Sequence, residues 1–107
     1  MRILTVKTLR EFWRTHLQAE QPLKVWYEDV ELAKWKSPQE LKQEYRHASI
    51  ITGKRIVFNI KGNDYRLIVD IEFAIGLVFI VWIGTHADYD KIDVKKVRYE
   101  KAHKNRK

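Results

Sequence analysis

The feature that most constrains this chain is a change in hydrophobic period near residue 49. Before it, apolar residues recur every three or four positions, as Leu9, Phe12, Trp13 and Leu17 and then Leu23, Trp26, Tyr27, Val30 and Ala33. After it they alternate, with Ile56, Phe58 and Ile60 set against Arg55, Val57 and Asn59. A period near 3.6 lays one apolar stripe along a helix, and a period of two lays one apolar face on a strand. The chain is therefore helical first and sheet-forming later. With a short first strand at residues 2–5, this predicts an α+β domain whose helices lie on one side of a sheet of about four strands.

Local signals sharpen this reading. Thr8-Leu9-Arg10-Glu11 fits a capping box at a first helix, Gln21-Pro22 is read as its end, and Ser37-Pro38-Gln39-Glu40 repeats the cap with Pro in the first turn. Gly62-Asn63 predicts a hairpin turn. That turn sets Phe58 opposite Leu67 and Ile56 opposite Val69 on one face, with Asn59 opposite Arg66 and Arg55 opposite Asp70 on the other. Apolar and polar residues each stay together, as a half-buried hairpin requires. Ala74-Ile75-Gly76 makes the next turn, and Leu77 to Ile83 is apolar on both faces, as in an interior strand.

Composition bounds the function classes. The chain of 107 residues is 45% hydrophobic with four Trp, enough for one packed core, and it has no Cys, which excludes disulfides and thiolate metal sites. The most apolar run, residues 73–84, is shorter than the roughly 20 residues that span a bilayer, and no signal-peptide pattern is read at the start. A cytoplasmic protein without membrane attachment is expected. The net charge of +7 is concentrated in residues 94–107, where Lys95, Lys96, Arg98, Lys101, Lys104, Arg106 and Lys107 oppose only Glu100. The expected division is a domain over residues 1–93 and a basic tail over 94–107. Such a balance suggests a nucleic acid partner without locating a site.

Three segments resemble the HigB family of toxins: residues 38–45 from Pro38 to Tyr45, residues 57–67 (VFNIKGNDYRL), and residues 83–92 (IGTHADYDKI). The resemblance implies a RelE-like fold, cleavage of messenger RNA in a way coupled to the ribosome, and neutralisation by a HigA-type helix-turn-helix antitoxin. Translation and growth would then be inhibited when the toxin is released.

RNA can be cut when a base removes the 2′-hydroxyl proton, a cation stabilises the charged phosphorane and an acid protonates the leaving 5′-oxygen. His86, Arg66, Tyr89 and Asp90 are the candidates for this work. An imidazole titrates near pH ~6.5 and serves as base or acid, although a His after a strand is also an ordinary surface residue. Arg66 has the planar donor set that grips phosphate, Tyr89 can stack a base or give up its phenol proton, and Asp90 can orient His86 or cap a helix. Lys61, Asn63, Arg55, Lys101, Lys104 and Arg106 are candidate RNA contacts, and Trp82 is either a stacking surface or packing. Arg55 is also a natural partner for Asp70. His16, His47 and His103 lie too far apart in sequence to suggest a metal site, and no cofactor is expected. The rival reading is an RNA-binding module that does not cut.

Overall fold

The computed structural model describes residues 1–99. In order, the elements are strand β1 (Arg2–Leu4), helix α1 (Lys7–Thr15), a 3-10 turn (Leu17–Ala19), helices α2 (Glu20–Leu32) and α3 (Pro38–Glu44), strands β2 (Ser49–Ile50), β3 (Arg55–Ile60), β4 (Tyr65–Glu72) and β5 (Leu77–Thr85), and a short helix α4 (His86–Tyr89). The sheet has five strands in the order β1-β5-β4-β3-β2, with β1 parallel to β5 and the other pairs antiparallel. This corrects the expected four. The fifth strand, β2, is only two residues long, and its Ser49 and Ile50 carry no alternation from which it could be read.

The hairpin register is the predicted one, with Phe58 across from Leu67, Asn59 from Arg66 and Arg55 from Asp70. The turn is longer than expected, because Ile60 pairs with Tyr65 and residues 61–64 close the loop. The left-handed conformations fall on Lys61 (φ 53°) and Gly62 (φ 63°), not on Asn63. Gly76 takes the same region (φ 69°) in the turn before β5, where a side chain would be strained.

Two local expectations are overturned. Helix α1 starts at Lys7, a residue before the predicted cap, and has no side-chain cap. Thr5 instead turns the chain at φ 63°, its carbonyl accepting from the amide of Thr8, so Thr8 and Glu11 lie inside the helix. The break between α1 and α2 comes at His16, not at Pro22. Pro22 sits in the first turn of α2, where its missing N–H would have no intrahelical partner anyway. The cap at Ser37 is as read: its hydroxyl accepts from the Glu40 amide at 3.3 Å, while the Glu40 carboxylate reaches back to the Lys36 amide at 2.8 Å.

The main core lies between the helices and one face of the sheet. Leu9, Leu23, Trp26, Val30 and Leu41 meet Ile56, Phe58, Leu67, Val69, Ile71, Val78 and Ile80 there. Leu17, expected on the apolar stripe, points outward and is 74% exposed. The opposite sheet face is not fully open. Val57, Ile68 and Val81 form a second buried cluster, with Ile92, Val94 and Val97 laid against it. This cover explains why β5 is apolar on both faces. No described helix is long and apolar enough to cross a membrane.

Candidate functional site

Since the segment after Ile92 covers one end of the second sheet face, the site must be sought at the other, where the hairpin turn meets α4. A bulge in β5 prepares this end. Trp82 pairs with Ile68 and Ile80 with Val69, so Val81 is left with no partner of its own. The extra residue shifts the alternation and brings Trp82 and Gly84 onto the face of Arg66. Arg66 is directly across from Gly84.

Gly84 is a requirement of this packing that the sequence reading missed. A Cβ on it would overlap the Trp82 ring, so only glycine lets the indole fold down over the strand. A glycine within a strand is the signal that could have been read, since it often marks close approach. Trp82 in turn lies 6.2 Å from Tyr89, ring centre to ring centre. Arg66 stands 5.8 Å above the Tyr89 ring, and its guanidinium donates to the backbone carbonyl and the side-chain oxygen of Asn63 at 3.1 and 3.3 Å. It meets no carboxylate among its described partners. Charge and donors therefore remain available to an anion.

Helix α4 places the imidazole. Thr85 caps it by accepting from the Asp88 amide at 3.1 Å, and the His86 amide donates to Asp64 in the hairpin turn at 3.0 Å. One helical turn on, Asp90 sets Oδ2 3.2 Å from His86 Nδ1. A carboxylate there favours the tautomer with its proton on Nδ1 and leaves Nε2 to act on a substrate. Asp90 is thus at the C-terminal end of α4 beside His86, and Thr85, not Asp90, is the N-terminal cap.

Arg66, Asn63, Tyr89, His86 and Asp90 therefore come together at one end of the sheet, with Trp82 beneath. Lys61 is nearby on the turn and is ion-paired to Asp64 at 2.9 Å, which raises its ammonium above the ordinary lysine value.

Arg55 does not join them. It stands at the far end of the hairpin, where Nε and Nη2 make a two-pronged pair with Asp70 at 2.8 Å each. Its Nη1 donates to the carbonyls of Val94 and Val97 at 3.1 and 2.7 Å. The Asp70 hydrogen bonds hold the guanidinium above its ordinary value. The Nη1 bonds tie the segment at Val94 and Val97 to the sheet, and Arg55 stands apart from the group around Arg66. Lys101, Lys104 and Arg106 lie outside the described residues. His16 stacks on Phe12, 4.0 Å between centres, and no cluster of three or more metal-ligating side chains occurs among the described residues.

A search of curated proteins finds no match to this chain. The profile of the HigB toxin family matches residues 19–92, which span the segments that build the site, from α3 through the hairpin to α4. The match covers about two thirds of the chain, ending where the covering C-terminal segment begins, and the site residues His86, Arg66, Tyr89 and Asp90 all fall within it. The chain belongs to the HigB toxin family, the RelE-like toxic components of toxin-antitoxin systems.

Proposed function

We propose that this toxin is an endoribonuclease that cuts messenger RNA, on the ribosome, by attack of a 2′-hydroxyl on the adjacent phosphate. The observation that carries the reading is Arg66, with no carboxylate partner described, beside Tyr89 and the His86–Asp90 pair at the uncovered end of the sheet. His86 Nε2 takes the 2′-hydroxyl proton as the 2′-oxygen bonds to phosphorus. The bond from phosphorus to the 5′-oxygen breaks, and the Tyr89 phenol supplies the proton that oxygen needs. Arg66 balances the charge on the phosphorane. The products are a 2′,3′-cyclic phosphate and a 5′-hydroxyl. No cofactor enters this scheme. A HigA-type helix-turn-helix antitoxin is the proposed partner, and the helical side offers it exposed Leu17, Val25 and Leu32. The setting would be the cytoplasm, and the basic residues after Tyr99 would add affinity for RNA or ribosome.

Tight induction followed by mapping of transcript 5′ ends tests the reading. New ends bearing 5′-hydroxyls are expected, falling about a hundredfold or more with His86→Gln, and growth should recover when a neighbouring helix-turn-helix reading frame is co-expressed. No new ends, or ends bearing 5′-phosphates, would overturn it.

A further inference from the structure

Beside the site, a cleft of about 540 Å³ opens between the segment after α3 and the hairpin turn. It has the volume of a small-molecule site, roughly 300–1,000 Å³. Its walls include Tyr45, Arg46, His47, Asn59 and Asn63. Two features of the fold create it. Strand β2 pairs only with Ile56 and Val57, so the edge of β3 from Phe58 to Ile60 has no neighbouring strand. The turn at residues 61–64 then rises at the end of that edge.

Three observations point to an occupant. Asn63 belongs to both places, lining the cleft while accepting from Arg66. Arg46 and His47 are exposed, and neither side chain has a hydrogen bond among the described residues. Glu44, the acidic wall of the cleft, is drawn to the Trp35 indole N–H at 3.1 Å instead of to either of them. The cleft thus offers a guanidinium, an imidazole and two carboxamides, a set suited to phosphate oxygens and the edge of an unstacked base.

We propose that this cleft seats one nucleotide of the RNA strand adjoining the phosphate held by Arg66. The inference rests on the endoribonuclease reading above. Arg46 holds the phosphate of that nucleotide, His47 stacks on its base, and Asn59 and Asn63 meet the base edge. The strand would cross from Arg66 over the shoulder of the turn, so the identity of one base beside each cut is read here.

The test uses the full chain in two arms. In the first, binding of a labelled single-stranded 10-mer RNA to the His86→Gln chain is compared with the same chain carrying Arg46→Ala and His47→Ala. In the second, transcript ends are mapped for the otherwise wild-type chain with and without those two changes. Affinity should fall about tenfold, with the salt slope shallower by about 0.7 for the lost phosphate contact, and the base bias beside the cuts should relax. Arg46→Glu should weaken binding further than Arg46→Ala does. Equal affinity and an unchanged bias, in a protein that still cuts, would overturn the cleft alone. If the wild-type chain neither binds RNA nor yields new ends, the endoribonuclease reading falls and the cleft falls with it.

Discussion

Arg55 and Arg66 occupy the same face at opposite ends of one hairpin, and the structure gives them opposite surroundings. Arg55 faces Asp70 and the carbonyls of Val94 and Val97, with only 12% of its side chain exposed. Arg66 faces a glycine across the strand pair, with Asn63 and Tyr89 as its described side-chain neighbours. What separates an arginine that fastens from one that can act is the neighbouring strand and the covering segment, not the residue type or its parity.

Exchanging the two effects is the most direct way to break the comparison. Arg66→Ala should lower the cutting rate about a hundredfold or more while leaving the thermal midpoint near wild type. Arg55→Ala should do the reverse. It strands Asp70 and releases two carbonyls, and for a pair between fully buried and exposed this should cost about 2 kcal/mol, or roughly ten degrees in midpoint. Rates measured per folded molecule, beside melting curves, decide it. If Arg55→Ala abolishes cutting at an unchanged midpoint, the division is wrong.

A smaller effect is expected at Gly84. Its φ is not in the left-handed region, so Gly84→Ala is a clash with Trp82 and not a backbone problem. It should cost about 1–2 kcal/mol and slow cutting about tenfold as the aromatic floor beside Arg66 shifts. Trp82→Leu in the same chain should recover most of the stability and little of the rate. A double-mutant cycle showing no coupling would count against the contact.

The smallest effect concerns the helical side. Burial and then the nearby Asp29 push the Tyr45 phenol above its ordinary value of 10.0, and its hydroxyl donates to Asp29 at 3.1 Å. The unfolded chain therefore loses this proton first, so stability is held below pH ~10 and falls as pH rises beyond it. Tyr45→Phe should flatten that fall. Melting curves between pH 9 and about 11 for the two proteins should diverge, and parallel curves would remove Tyr45 from the account.

Much of the hairpin was legible because a period of two admits no slip without inverting both faces. Any shift by one residue would have put Phe58 and Leu67 on the face of Arg66. The Ser37 cap was legible for a similar reason, its partners being within four residues. Of the candidate site, Arg66, Asn63, Tyr89, His86 and Asp90 were named from residue chemistry and the family resemblance, and the structure brings them together. Arg46 as a neighbour of the site was not legible, since the cleft exists only because β2 stops short of the end of β3.

By itself, then, the sequence determined what local rules control: the order of the longer helices and strands, the register across the turn at residues 61–64, and the parity that sets Arg66 apart from the core. Tertiary structure decided what depends on contacts between distant segments. Ile92, Val94 and Val97 pack over one end of the sheet face that the helices leave uncovered, the turn at Thr5 starts α1 two residues earlier than a cap at Thr8 would, and the Val81 bulge turns Trp82 and Gly84 toward Arg66. The physical reason is that hydrogen-bond donors and apolar faces have fixed capacity but no fixed address. The pairing of Arg55 with Asp70 followed from the hairpin register, whereas the use of its remaining Nη1 was decided by the arrival of the carbonyls of Val94 and Val97.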